Sequence, residues 1–354
     1  MSRFLDPRYA ALKEYVPGEQ PQDMAYIKLN TNESPFPPSP AVLDAVDREE
    51  AEKLCLYSDP ASRLLREALA RRYGLGPENV FVSNGSDDIL NFAFMAFGRV
   101  SGAAYPDISY GFYKVYAQLY HVDPLVVPLR EDFSVDVDGF CGTGRFTVLA
   151  NPNAPTGIAL PVESVRRIAT SNPDSVVLID EAYVDFGAES SLPLLREYPN
   201  LLCVMTFSKS RSMAGARLGF ALGDAALIAD LEKLKYSTNP YNINRLTQAA
   251  ALAALNEPEY YVRNCAVIKE NRARTVRGLE ALGFTVLPSE ANFVLARHRR
   301  IGGEEIYLRL KGMGILVRHF TEPRIKDYCR ITIGSMEQMN ALLAALKTIT
   351  EGQS

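Results

Sequence analysis

The chain contains no tryptophan, only three histidines and only five cysteines in 354 residues. His121, His298 and His319 are too scattered for any metal-ligand spacing, so no metal site is expected. Cys55, Cys141, Cys203, Cys265 and Cys329 include no C-x-x-C pair. Cys203 and Cys329 fall in apolar strand-like runs, where a reduced core thiol is the natural reading. No run of apolar residues is long enough to span a bilayer, and the opening "MSRFLDPRYA" lacks a signal-peptide core. A reducing, cytoplasmic setting with no membrane partner is therefore the expectation. An excess of positive charge is missing too: the net charge of −4 argues against nucleic acid as a partner. That charge is uneven, however. Residues 261–354 hold 15 Lys+Arg against 9 Asp+Glu, which suits a small anionic ligand better than a polyanion.

What is present reads as an ordinary globular α/β chain, 47% hydrophobic and 23% charged. The stretch through "KLNTNESPFPPSP" is rich in proline and asparagine, and residues 1–35 read as an extended arm. Helical patterns follow over Ala41–Leu54 and Arg63–Arg72. From Val80 short apolar runs ("NVFVS", "FTVLA", "SVVLID", "LLCVMTF") alternate with helical stretches such as "PVESVRRIAT". That alternation implies parallel βα units. The chain is strongly helical from Asp224 to about Leu282. It closes with "GFTVLPSEANFVLAR", a Gly-Gly helix start at Gly302, "GILVR", "YCRITIG" and a helix from Ser335. The expected architecture is a large domain over residues 36–250, with a mainly parallel sheet flanked by helices. A smaller α+β domain follows over 251–354, with the arm packed against it.

Ligands of open α/β sheets gather at the carboxyl ends of strands, and several strand ends here carry polar groups. "VFVSNGSDD" ends a strand and opens a helix, where Gly85, Ser86 and Asp87 can offer backbone N–H groups to a phosphate. The plain alternative is a helix capped by Ser86. "VLIDEAYVDF" places Asp180 at the end of a buried strand, where a carboxylate needs a partner, with Tyr183 three residues later. "TFSKSRSMAGARLGF" places Lys209 beside another strand end, among Thr206, Ser208 and, further on, Arg217. A desolvated lysine there is a nucleophilic amine. Together a phosphate cradle, an aspartate, a tyrosine and a lysine are the parts a pyridoxal 5'-phosphate site requires.

"NPNAPTG", "DEAY" and "SKSRSMAGARLG" resemble the signatures of fold-type-I pyridoxal-phosphate-dependent aminotransferases, in order and spacing over almost the whole chain. "KLNTNESPF", "VRHF" and "YCRITIGSMEQMNALLAAL" are similar to the histidinol-phosphate aminotransferase branch. The resemblance implies that Lys209 carries the cofactor as a Schiff base and moves the substrate proton. It implies that Asp180 pairs with the pyridine nitrogen, that Tyr183 meets the 3-oxygen, and that Tyr110 stacks on the ring. Ser86, Asp87, Thr206, Ser208 and Arg217 would hold the phosphate, joined by Tyr57 from the partner subunit of a homodimer with shared active sites. One position departs from the pattern. The asparagine usual before Pro-Thr-Gly is Ala154, which cannot donate, so Asn153 or Asn151 would have to turn inward to replace it.

The substrates implied are an amino alcohol phosphate and glutamate or 2-oxoglutarate. An arginine's planar fork suits both phosphate and carboxylate. Arg330 in "YCRITIG" and Arg318 in "ILVRHF" are the candidates, with Arg330 as shared anchor and Arg318 as additional phosphate partner. Asn30, Asn32 and Glu33 in the arm and Asn292 in "EANFVL" are expected to line or close the pocket. Competing readings are an aromatic amino-acid aminotransferase, a threonine-phosphate decarboxylase of the same fold, and a non-catalytic cofactor-binding module.

Overall fold

The computed structural model describes residues 2–352. Strand β1 (Ile27–Lys28) closes the arm, and helix α1 (Arg63–Tyr73) precedes the large sheet. That sheet is built from β2 (Val80–Ser83), β3 (Ala103–Pro106), β4 (Pro124–Val127), β5 (Phe146–Ala150), β6 (Val177–Asp180), β7 (Leu201–Thr206) and β8 (Gly219–Gly223). Its order is β2-β8-β7-β6-β5-β3-β4. Strands β3 to β7 run parallel to their neighbours among themselves; β8 is antiparallel to both β7 and β2. The architecture is the mainly parallel α/β sheet expected.

Side chains along the central strands alternate between two cores, as a pleated strand with both faces covered requires. Leu178, Leu202 and Val204 pack on one side with helices α2 (Ser86–Ala93), α3 (Phe112–Leu119) and α5 (Ala225–Thr238). Val177, Ile179, Leu201 and Cys203 pack on the other with α4 (Val162–Ser171). Two further helices, α6 (Arg245–Asn256) and α7 (Pro258–Ala281), lead out of this unit.

The second unit is an antiparallel sheet of order β12-β13-β10-β9. Its strands are β9 (Phe284–Val286), β10 (Phe293–His298), β12 (Arg318–His319) and β13 (Tyr328–Thr332). Helices α8 (Gly303–Gly312) and α9 (Met336–Glu351) cover it, and α9 opens on a capping box made by Ser335 and Gln338. Between α8 and β12, β11 (Ile315–Leu316) pairs parallel with β1, and the Leu29 carbonyl accepts a bond from Thr332 N. The long helix α7 joins the two cores: Tyr261 packs with Met205 and Phe220, whereas Cys265, Ile268 and Leu279 pack with Phe293 and Ile331.

Candidate active site

Strands β5, β6 and β7 end side by side, and their ends hold the polar groups. Asp180, the last residue of β6, is buried. Its Oδ1 accepts from the Ala182 amide at 3.2 Å and its Oδ2 from the Tyr113 hydroxyl at 3.1 Å. Burial, opposed mainly by the Tyr113 bond, pushes its carboxyl up to about 6. Lys209 follows β7. Its Nζ donates to the Thr31 carbonyl at 3.2 Å and lies 5.8 Å from the centre of the Tyr183 ring. Desolvation, helped by the charge of Arg330, brings its amine down to about 8, so an appreciable neutral fraction exists near neutral pH.

A cradle lies at the start of α2. Gly85 is the N-cap, at φ +87°, and among the described residues no side chain caps this helix. Gly85, not Ser86, therefore occupies the capping position, and the amides of the first turn stay uncovered by side chains. A Cβ at Gly85 would stand 2.5 Å from Arg217 Nη2, and one at Gly219 would stand 2.4 Å from Ser86 N. Two glycines thus let the guanidinium and β8 close on the helix start. Arg217 Nη1 donates to Ser208 Oγ at 3.3 Å, and its Nη2 pairs with Asp87 Oδ2 at 3.3 Å. Asp87 also accepts from the Tyr110 hydroxyl at 2.7 Å. A helix N-terminus, an arginine and a serine converging on one point suit a phosphate group.

The far wall comes from the arm and the small sheet. Asn32 sits at φ +56°, a conformation asparagine tolerates better than most residues. Its Nδ2 donates to the Tyr183 hydroxyl and its Oδ1 accepts from Thr332 Oγ1, both at 3.0 Å. Asn292 Nδ2 donates to the Asn32 carbonyl at 3.0 Å. Arg318 and Arg330 stand directly opposite each other across β12 and β13. Arg330 Nη2 donates to the Asn30 carbonyl, while its buried Nε has no hydrogen-bond partner. Arg318 donates to the carbonyls of Val16 and Pro17, at 2.9 Å each.

The sequence pattern of the aminotransferase class I and II family matches residues 25–346. The chain is 51% identical to the histidinol-phosphate aminotransferase of Marinomonas sp. (strain MWYL1), covering 99% of this chain and 100% of that protein. It is 48% identical to the one from Acetobacter pasteurianus, over 99% and 98% of the two chains. The chain belongs to the aminotransferase class I and II family. In solved structures it is similar to histidinol-phosphate aminotransferase from Sinorhizobium meliloti in complex with pyridoxal-5'-phosphate. That likeness has a TM-score of 0.88 and 27% identity, over 100% of both chains.

In this family member a chain of contacts joins Asn292, Asn32, Tyr183 and Lys209. Arg330 and Asp180 lie within electrostatic reach of them. Asp87, Tyr110, Ser208 and Arg217 join at the phosphate-suited end with Gly85 and Ser86. Thr206 and Asn153 stand apart from that work. The Thr206 hydroxyl bonds Leu218 O and Ser208 N, bracing the lysine loop. The Asn153 amide is engaged by Ser109, Ile108 and Thr156, and that of Asn151 by both backbone groups of Leu160. Neither asparagine turns inward to replace Ala154, which is itself buried in the Tyr183 cluster. Tyr57 lies outside the cleft, 81% exposed and stacked on Tyr241. Two residues escaped the sequence reading. Tyr113 bonds Asp180, and Tyr15 of the arm stacks on Phe112 with ring centres 4.2 Å apart. The tyrosine spacing of "SYGFYKVYAQLY" could have exposed the first; nothing local marks the second.

No helix among the described residues is long and apolar enough to cross a membrane, and no group of three or more His, Cys, Asp or Glu among them could hold a metal ion.

Proposed function

We propose that this chain binds pyridoxal 5'-phosphate and transfers an amino group between histidinol phosphate and 2-oxoglutarate. The products are 3-(imidazol-4-yl)-2-oxopropyl phosphate and glutamate, a step of histidine biosynthesis. The observation that supports this reading is a Lys209 amine within electrostatic reach both of the buried Asp180 carboxylate and of Asp87 and Arg217 in the cradle. A carboxylate desolvated to this degree needs a cation, and a glycine-lined helix start needs an anion. The residues present therefore fit the cofactor. When bound, it supplies an electron sink for the bonds at the substrate's Cα.

The chain's own groups do the rest. Lys209 Nζ would hold the cofactor covalently until the substrate's own amine displaces it. The freed amine would then carry the proton from the substrate's Cα to the cofactor carbon, a role its lowered basicity suits. Asp180 pairs with the ring nitrogen. Tyr183 accepts a bond from Asn32, so its own proton is free for the 3-oxygen. Tyr110 offers its ring to the pyridine face, and its hydroxyl anchors it to Asp87. The amides of Ser86 and Asp87, with Ser208 and Arg217, bind the phosphate. Arg330, with Asn292 and Asn32 beside it, anchors the carboxylate of glutamate and the phosphate of histidinol phosphate alike, and Arg318 adds a second fork for the phosphate.

Residues 36–250 form the cofactor-binding unit in this reading, residues 251–354 the substrate-binding unit, and residues 1–35 the arm over the cleft. The protein works in the cytoplasm as a homodimer. Leu54, Leu56 and Tyr57 leave an apolar face 56–81% exposed, which a second copy would cover while bringing Tyr57 to its neighbour's phosphate. The test is purified protein assayed with 2-oxoglutarate against histidinol phosphate, phenylalanine and O-phosphothreonine. Glutamate forms fastest from histidinol phosphate. Faster reaction with phenylalanine, or carbon dioxide released from O-phosphothreonine without amino transfer, would replace this reading.

A further inference from the structure

The segment "SYGFYKVYAQLY" carries tyrosines at 110, 113, 116 and 120: Tyr113 and Tyr116 lie one turn apart on α3, and Tyr110 and Tyr120 stand at its two ends. All four hydroxyls donate. Tyr110 bonds Asp87 Oδ1, Tyr116 bonds the Asp87 carbonyl at 2.9 Å, and Tyr120 bonds Asn91 Oδ1 at 2.6 Å. Tyr113 alone in this row reaches a strand end, donating to Asp180 Oδ2 at 3.1 Å. Its side chain is fully buried, with Phe94, Tyr105 and Tyr110 packed around the ring. The ring cannot swing away without opening that cluster.

We propose that Tyr113 is the positioning residue for Asp180: its hydroxyl fixes the rotation of the carboxylate and holds it in the ionised form that pairs with the cofactor's ring nitrogen. This rests on the cofactor reading above. The geometry supports it because each carboxylate oxygen receives one donor, Ala182 N–H on Oδ1 and Tyr113 O–H on Oδ2. The group is thereby pinned at two points while each oxygen keeps acceptor capacity for a cation. Other groups face Asp180 from the elements around it. Asp87 on α2 disfavours its ionisation, whereas Lys209 beyond β7 favours it, less strongly than the Tyr113 bond does. Tyr183, three residues on, interacts with the same carboxylate. Tyr113 keeps its own proton, because burial and the neighbouring Asp180 push its phenol far up.

A tyrosine that merely fills the aromatic cluster would be replaced silently by phenylalanine, and this separates the two roles. The experiment follows Asp180 in cofactor-free protein labelled with carbon-13 at the aspartate carboxyls, with Asp180→Asn to assign the signal. Tyr113→Phe raises the Asp180 midpoint, which lies near 6 in the native chain, by about one pH unit, the worth of one hydrogen bond to a charged group. Tyr113→3-fluorotyrosine, a stronger donor of nearly the same shape, moves it down. In loaded enzyme Tyr113→Phe lowers kcat with little change in KM for glutamate. An unmoved midpoint in both variants overturns the proposal, and if Tyr113→Phe does not fold, the fluorotyrosine protein decides alone. A protein that shows the shifts but takes up no pyridoxal phosphate would remove the cofactor reading instead.

Discussion

On the large-sheet side of the candidate site, Asp180, Asp87, Ser208 and Arg217 meet one another or the tyrosines at positions 110 and 113. On the arm side, Arg318, Arg330 and Lys209 rest on the backbone carbonyls of Val16, Pro17, Asn30 and Thr31. The first arrangement is one ion pair, Arg217 with Asp87, and a carboxylate pinned by a phenol and an amide, all fixed in advance. The second leaves three cations whose present partners are neutral. A carboxylate or phosphate makes a charge-assisted bond that a carbonyl cannot match. In the proposed reading an anionic substrate would therefore displace the arm's carbonyls from the two arginines, while Lys209 would leave Thr31 for the cofactor. If that reading holds, the half that takes the cofactor is preorganised and the half that takes the substrate would exchange partners on binding.

The largest break in this comparison removes Lys209, which stands where the two halves meet. Lys209→Ala abolishes amino transfer and leaves pyridoxal phosphate held without a covalent bond. Borohydride reduction of native enzyme followed by peptide mapping checks it, and a label on any other lysine contradicts the assignment. Next come two substitutions within the preorganised half. Asp180→Ala lowers turnover severely, because a ring nitrogen without its carboxylate is a poor electron sink. Arg217→Ala acts on binding instead, weakening cofactor affinity about thirtyfold for a lost charged hydrogen bond of about 2 kcal/mol. Equilibrium dialysis and single-turnover rates on both variants separate these effects. The reverse pattern would exchange their roles.

The asymmetry also explains what the sequence disclosed. The cofactor half was legible because Asp180, Lys209 and Gly85 sit at ends of strands that announce themselves as continuous apolar runs, each within a few residues of its signature. Strands β3 and β4 were not singled out, since "AAYP" and "PLVV" each carry a proline at one end and are short. β8 lies between two glycines and runs against its neighbours, which a βα pattern does not suggest. The Ala41–Leu54 helix is broken at Val46, where ψ turns to 43°. The substrate half was only partly legible, because its contacts join residues some 300 positions apart, as in Asn32 with Thr332. Arg318 and Arg330 could be placed on adjacent strands, but nothing in the sequence says that the arm's carbonyls hold them. Asn153 shows the opposite case: it carries the right chemistry one residue away from the expected position, and local bonds engage its amide.

An effect of the same order as that of Arg217→Ala, but on substrate rather than cofactor, is expected from the two arginines of the exchanging half. Arg330→Ala weakens the half-reactions with glutamate and with histidinol phosphate together, since both present an anion to it. Arg318→Ala raises KM for histidinol phosphate about thirtyfold, again about 2 kcal/mol, and changes the glutamate half-reaction little. Each half-reaction followed separately in single turnover reads this out. Equal losses on both substrates for Arg318→Ala would mean that the arm side does not discriminate phosphate from carboxylate.

The smallest expected effect lies in the electrostatic link between the halves. Desolvation is the main cause of the lowered Lys209 pKa, and Arg330 is the next, a like charge that disfavours the ammonium form. Removing it in Arg330→Leu lets the ammonium survive to higher pH, so the midpoint rises from about 8 by less than about one unit. The neutral amine is the reactive form, and the pH dependence of initial cofactor attachment, followed by the visible band as it forms, reports that midpoint. At pH 7 the variant therefore attaches cofactor more slowly, and the difference vanishes well above both midpoints. Arg318→Leu, one strand further away, leaves the midpoint where it is. If Arg330→Leu also left it unchanged, desolvation alone would set the lysine's basicity, and the two halves of the cleft would be electrostatically independent.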